Sequence, residues 1–220
     1  MAETIYTIPI NEAFDKKEGC PLCALTETLE QNELSLILGA SMMEPDVRIA
    51  TNRLGFCPDH LAKMLDAKKK LPLALMLQSR LEELRGWLDE GDSKKERLFS
   101  ATAESCYICA RIERYLNGMY ENLFWLYAED EAFREKVAAQ KCYCLKHFSA
   151  LYAMSEKRLE KQERERFRKA LTATQKAYYD GLAKDIDSFT AMFDYRNAGA
   201  EWGDFKDAPE RICEALGLRR

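Results

Sequence analysis

An all-α fold is what this sequence predicts, and three observations predict it. Apolar residues recur at intervals of three and four over long stretches, as on one face of a helix. Gly and Pro number only 10 and 6 in 220 residues, too few for the turns of a many-stranded sheet protein. Charged residues make up 32% and hydrophobic residues 47%, the balance of solvated helices around a core rather than of a disordered chain.

Within that fold one pattern occurs twice. Cys20-Pro-Leu-Cys23 is followed by Phe56-Cys57-Pro-Asp-His60, and Cys106-Tyr-Ile-Cys109 by Tyr143-Cys144-Leu-Lys-His147. The Cys-x-x-Cys pairs lie 86 residues apart and the Cys-x-x-His pairs 87. Both His residues and six of the eight Cys residues belong to this pattern. Read as an internal repeat, it predicts two tandem homologous helical zinc-binding modules sharing one core, residues 1–92 and 93–195, with a tail, 196–220, packing on the body.

Taken in order, residues 1–19 read as an irregular lead-in, with Ile5, Ile8, Ile10 and Phe14 free to pack on the helices after it. Leu22, Leu25, Leu29 and Leu36 form the stripe of a helix running from Pro21 to about residue 38, which Gly39 can end as a C-cap. Pro45 and Asp46 can start a short helix that Gly55 breaks. Cys57 and His60 sit at the next helix start, with Leu61, Met64 and Leu65 as its buried side. From Pro72, Leu73, Leu77, Leu81, Leu84 and Leu88 recur at helical spacing, and 91–93 is the best boundary. The second half repeats the plan. Ile108, Ile112, Tyr115, Met119 and Leu126, flanked by Tyr120, Phe124 and Trp125, suggest a helix buried on more than one side. Phe133 and Val137 belong to a short helix, and Phe148, Leu151 and Tyr152 to the one that carries His147. Ser155 is a candidate N-cap for a long helix over 156–194, roughly 58 Å at 1.5 Å per residue. Such a helix needs a partner along its length, either the first half or a second subunit. Asp207 then caps a short last helix carrying Ile212, Leu216 and Leu218, with Cys213 in its core, while Trp202 and Phe205 pin the tail.

The repeated pattern carries metal-site chemistry. A Cys-x-x-Cys turn places two thiolates within reach of one ion, and a Cys-x-x-His turn supplies the other two corners of a tetrahedron. Helix starts favour the thiolate form. Pairing within each copy assigns one zinc to Cys20, Cys23, Cys57 and His60 and another to Cys106, Cys109, Cys144 and His147. Three soft sulfurs and an imidazole suit zinc, two ions per chain, with an iron–sulfur cluster as the alternative. Four protein ligands make a closed, structural site, whereas a catalytic zinc keeps a position open for water. Asp59 beside His60 is a candidate outer partner. Cys142, at the position matching Gly55, reads either as a buried thiol or as a spare ligand that makes the second site redox-sensitive.

The formal charge of −4 argues against general nucleic-acid binding. Neither an 18-residue apolar run nor a signal peptide stands in the sequence, so a cytoplasmic location is expected and no membrane span. The sequence carries no phosphate-binding Gly loop, no nucleophile elbow and no His outside the metal pattern, which leaves the enzyme question open with no template.

The paired Cys-Pro-Leu-Cys and Phe-Cys-Pro-Asp-His-Leu signatures, with Phe193-Asp194-Tyr195-Arg196 and Lys206-Asp207-Ala208-Pro209, resemble an uncharacterised bacterial family catalogued only as a domain of unknown function. The resemblance covers nearly the whole chain. It implies cytoplasmic proteins with two Cys-x-x-Cys and Cys-x-x-His pairs, and it supplies no activity.

The expected role is a scaffold or protein-interaction module, meeting a protein partner or a second copy through its long aromatic-rich helices. A redox- or metal-responsive regulator using the second site and Cys142 is the alternative. A third reading, an enzyme pocket near Asp194, Tyr195, Arg196 and Trp202, competes with a plain hydrogen-bonded corner formed by the same residues.

Overall fold

The structure, a computed structural model, describes residues 4–197 and 199–218. Among the described residues the regular structure is entirely helical. The α-helices are α1 (Thr7–Asp15), α2 (Pro21–Ile37), α3 (Pro45–Leu54), α4 (Pro58–Asp66), α5 (Lys70–Trp87), α6 (Asp92–Ala103), α7 (Tyr107–Glu129), α8 (Glu131–Ala138), α9 (Leu145–Arg158), α10 (Lys161–Ala191) and α11 (Ala208–Leu216). Among the described residues no helix is long and apolar enough to cross a membrane.

Local chemistry sets many of these boundaries. Pro45, Pro58 and Pro209 stand in the first turns of α3, α4 and α11, where the missing N–H costs nothing. Gly55 ends α3 at φ 64°, a conformation that strains any residue with a Cβ. The Asp130 carboxylate caps α8 by accepting the Ala132 N–H at 2.9 Å. Gly118, in the middle of α7, lets the Tyr6 ring pack directly on the helix, since a Cβ there would meet Tyr6 Cε2 at 2.8 Å.

The chain forms two compact units, and they are interleaved rather than successive. One comprises the chain up to Leu25 together with the chain from Gly118 onward; the other is Thr26–Asn117. The division therefore runs through α2 and α7 and cuts across the stretches 1–92 and 93–195. In the first unit, Phe14 packs on Phe133 at 5.1 Å, and the fully buried Phe167 of α10 takes the edges of Phe124 and Tyr127 of α7 at 5.3 and 4.9 Å. In the second, Ile37, Met42, Met64, Leu73, Met76, Ile108 and Ile112 form the core, with α5 laid against α3 and α4. A buried Glu33 carboxylate in that unit takes a two-pronged bond from Arg111, at 2.7 and 3.1 Å, so its burial is compensated.

Several sequence expectations change. Residues 7–15 are helical, because Ile10, Ala13 and Phe14 share one face and bury it, while Ile5 and Ile8 stay exposed. Residues 92–103 form α6, which buries none of its residues and so lacked an apolar stripe to reveal it. In α2 the buried face turns from Leu22 and Leu25 to Ile37, leaving Leu36 exposed, and Gly39 has φ −123° instead of a C-cap conformation. The leucine stripe of α5 is covered only at its start: Leu73 is buried, whereas Leu81 and Leu88 are exposed. Leu65 is exposed, and so are Leu216, Leu218 and Cys213 around the last helix. Ser155 lies inside α9, donating to Tyr152 O and accepting from Arg168 Nε, and the chain breaks instead at the extended Leu159 and Glu160. The Asp207 carboxylate pairs with Arg211 rather than capping α11. The long α10 finds partners within its own unit: α8, α9 and α11, and Phe124 and Tyr127 of α7. Trp202 meets Phe189, Phe193 and Phe205.

Truncating Phe167 to Ala should therefore cost about 3–5 kcal/mol, while Leu81→Ala should stay within about 0.5 kcal/mol, measured by denaturant unfolding of each variant. Equal costs would contradict this account of the core.

Candidate metal centres

The four ligand-bearing turns share one local geometry. Cys57 and Cys144 immediately precede α4 and α9, and His60 and His147 are the third residues of those helices. Cys20 and Cys106 likewise precede α2 and α7, with Cys23 and Cys109 in third place. In each, the carbonyl of the preceding Cys accepts the first helical bond: from Ala24 at 3.2 Å, Leu61 at 3.0 Å, Ala110 at 3.0 Å and Phe148 at 2.9 Å. The x-x spacing thus sets both side chains of a pair on the same side of a helix start.

Assembly of the pairs is crossed. Cys20 and Cys23 meet Cys144 and His147, and Cys57 and His60 meet Cys106 and Cys109. Each cluster takes its Cys-x-x-Cys from one copy of the pattern and its Cys-x-x-His from the other, which corrects the pairing within each copy. The first cluster lies wholly in the first unit and the second wholly in Thr26–Asn117. Contacts beside the second cluster set this pairing: Tyr107 N–H donates to Gly55 O at 2.9 Å and Ser105 Oγ to Leu54 O at 2.6 Å, bringing the loop before Cys57 against the turn that carries Cys106.

Within each cluster the ligand atoms all lie within 4.8 Å of one another. In the first, both Cys20 Sγ and Cys23 Sγ approach His147 Nδ1, at 3.5 and 3.4 Å; Cys144 Sγ is 3.2 Å from the same nitrogen and 3.5 Å from Cys23 Sγ. In the second, His60 Nδ1 lies 3.0 Å from Cys57 Sγ and 3.4 Å from both Cys106 Sγ and Cys109 Sγ, with Cys57 and Cys109 sulfurs 3.9 Å apart. A tetrahedral ion about 2.3 Å from sulfur and about 2.0 Å from nitrogen holds its ligands roughly 3.5–3.8 Å apart. The donor set therefore fits one four-coordinate ion per cluster. No disulfide joins any of the eight cysteines, all of which lie among the described residues.

The proton balance of the clusters points the same way. Hydrogen bonds from the Cys20 and Cys23 thiols hold the Cys144 thiol well below its usual range, and those same contacts push Cys20 up. In the second cluster burial works against ionisation of Cys106, but hydrogen bonding to His60 and to the Cys109 and Cys57 amides outweighs it and brings Cys106 down to about 6. Cys109 is pushed up to about 12 by burial and by the neighbouring Cys106. His60 is raised, since the Cys106 contact and Glu30 overcome its desolvation. Cys144 in the first cluster and Cys106 in the second are thus the sulfurs held down, and ionisation of all three sulfurs of a set at such close range calls for a cation at their centre.

Sequence reading missed the outer partner of His60. Asp59 is exposed. Instead, Glu30 of α2 places Oε1 3.1 Å from His60 Nε2, at ion-pair distance although off the alignment of a full hydrogen bond, and Lys63 grips its other oxygen. A carboxylate on the far ring nitrogen fixes a ligating histidine's orientation and raises its basicity. Glu30 lies seven residues after Cys23 and so shares its helix face, but only the fold assigns it to His60. Cys142 joins neither cluster; it is buried, and burial and the nearby Cys144 push its thiol up. The matching Gly55 has φ 64°, a conformation Cys142 does not share. Arg196 Nε donates to both carboxylate oxygens of Asp194 at 3.0 Å on the surface, and Tyr195 is exposed, the arrangement of a corner.

Fold and clusters together define a helical protein with two four-donor Cys/His centres, each able to hold a metal ion. The chain belongs to DUF6062, a family of unknown function whose model matches residues 1–218. No match was found among curated proteins or among solved structures.

In metal-free protein the Cys106 thiolate contributes stability that is full above the ordinary thiol value of 9.0 and is lost as pH falls through about 6. Chelator-treated protein should accordingly lose thermal stability on acidification to below about pH 6, and Cys106→Ser should flatten that dependence. Glu30→Gln should weaken metal binding at the second cluster by about 10–100-fold and leave the first unchanged, read by chelator competition.

Proposed function

We propose that this protein binds two structural zinc ions, one at Cys20, Cys23, Cys144 and His147 and one at Cys57, His60, Cys106 and Cys109, and serves as a helical scaffold for a protein partner. The observation that carries the reading is the convergence of all eight motif side chains into two four-donor sets with the spacings of a tetrahedral ion. Four protein donors complete such an ion's shell, as in structural zinc sites. Soft thiolates favour zinc among the common divalent metals. An iron–sulfur cluster interposes several atoms between its ligand sulfurs and would spread them further than these clusters do.

Each ion would tie the start of one helix to the start of another that is distant in sequence, so metal binding and folding are one process. The scaffold role rests on the exposed aromatic surface at the end of α10, where Phe193, Tyr195 and Trp202 stand in solvent. A cytoplasmic setting suits free thiols and thiolate zinc sites. A redox role centred on Cys142 has less support, because its thiol is buried and belongs to neither four-donor set.

Metal analysis of paired substitutions tests both the ion and the crossed pairing. Wild type should hold two zinc per chain. Cys20→Ala with Cys144→Ala should lose one, whereas Cys20→Ala with Cys57→Ala should lose both. The opposite result would restore pairing within each copy, and a wild-type protein without zinc would end the proposal. Chelation should also lower helicity and thermal stability together, monitored by circular dichroism.

A further inference from the structure

The two clusters differ in what solvent can reach. Around the first, Cys20, Cys144 and His147 are 9%, 8% and 1% exposed, and only Cys23 is partly open. Around the second, His60 and Cys106 are buried, but Cys109 is exposed and Cys57 partly so. The two accessible sulfurs of that cluster are also neighbours, 3.9 Å apart, on segments separated by 52 residues. An oxidant arriving from solvent meets Cys109 first. The thiol nearest to it with comparable access is Cys57.

We propose that the Cys57–Cys109 pair is an oxidation site for hydrogen peroxide that releases the metal of the second cluster while the first keeps its ion. The proposal rests on the zinc reading of both clusters and adds a direction to it: one centre is a lasting staple and the other a labile one. In the first step the Cys109 sulfur, which would be a thiolate when it ligates the ion, attacks one peroxide oxygen. A sulfur–oxygen bond forms, the oxygen–oxygen bond breaks, and the departing hydroxide takes a proton to become water. Cys109 is left as a sulfenic acid. The Cys57 thiolate then attacks that sulfur; a disulfide forms, the sulfur–oxygen bond breaks, and the hydroxide leaves with a second proton as water. Two sulfurs have given up two electrons to one peroxide. The ion retains only His60 and Cys106 and dissociates, since two ligands do not hold it against water. Sulfur–sulfur contact at 3.9 Å must shorten to about 2.05 Å, a change within reach of side-chain rotation once the ion no longer fixes the two sulfurs.

The rival pairings are less well placed. Cys106 is buried, so a Cys106–Cys109 pair offers peroxide one accessible sulfur where the Cys57–Cys109 pair offers two. Cys142 is buried beside the first cluster, in the other unit.

Full-length zinc-loaded protein, with its metal content measured first, is exposed to rising hydrogen peroxide while released zinc is tracked colorimetrically and thiols are mapped by differential alkylation and mass spectrometry. The expected result is one zinc released about tenfold faster than the other, in step with a Cys57–Cys109 disulfide, while Cys20, Cys23 and Cys144 remain unmodified. Cys142→Ser should leave both rates unchanged. Two ions leaving at one rate, release from the Cys20 cluster first, or a disulfide through Cys142 or between Cys106 and Cys109 would overturn this inference and leave the zinc reading standing. A starting content near zero zinc would overturn both.

Discussion

Three sulfurs and an imidazole nitrogen held within 4.8 Å of one another cannot all carry their ligand charge without a cation among them, and the chain contains two such sets. A cation at each set would meet that electrostatic requirement and fix where the helix starts come together. Each set lies at the starts of two helices, where the backbone carbonyl of the leading Cys closes the first turn and the two side chains of the pair point to one side. A metal at that point would connect helix starts separated by more than a hundred residues in the first cluster, from Cys20 to Cys144. Hydrophobic packing then has to close around fixed points. Ile108 and Ile112 of α7 and Met64 of α4 do so close to the second cluster, and the fully buried Tyr143 adjoins Cys144 at the first.

The crossing of the pairs has a physical rationale in the segments that flank them. Beside the second cluster the Tyr107 N–H reaches Gly55 O, a strut that aligns the two turns. At the corresponding place by the first cluster stands Pro21, which has no N–H to give. There the Tyr143 N–H is taken instead by the side chain of the buried Gln175 of α10. The matching turns are thus supported by different elements: neighbouring backbone in one unit, the long helix α10 in the other. Glu30 and Lys63 add a further difference, since a charged pair stands on His60. Two centres built from the same residue types consequently differ in access and in electrostatic surroundings.

Residue patterns announced most helices, and the failures share a cause. The α5 stripe is regular along its whole length, yet Leu73 is buried and Leu81 and Leu88 are exposed, so periodicity marked a helix correctly and its buried residues incorrectly. Short α1 and solvent-covered α6 were missed because neither offers a long apolar stripe: one has three core residues in nine positions, the other has none in twelve. Ser155 looked like a cap because its residue type suits one, but its hydroxyl serves Tyr152 and Arg168 within the packed pair α9 and α10. Spacing along a chain reports which faces could be buried. Burial itself is settled by which neighbour arrives.

The sequence by itself determined that the chain is helical, that eight Cys and His side chains form four matched pairs at helix starts, and that it resembles a family without assigned activity, since helical period, x-x spacing and residue chemistry are local properties. Only the tertiary structure decided which pairs meet, that Glu30 rather than Asp59 stands on His60, that Cys142 is buried apart from both clusters, and that Cys109 faces solvent. Those outcomes depend on contacts between segments tens to more than a hundred residues apart, and the spacing of one four-residue pair carries no information about which distant pair it will face.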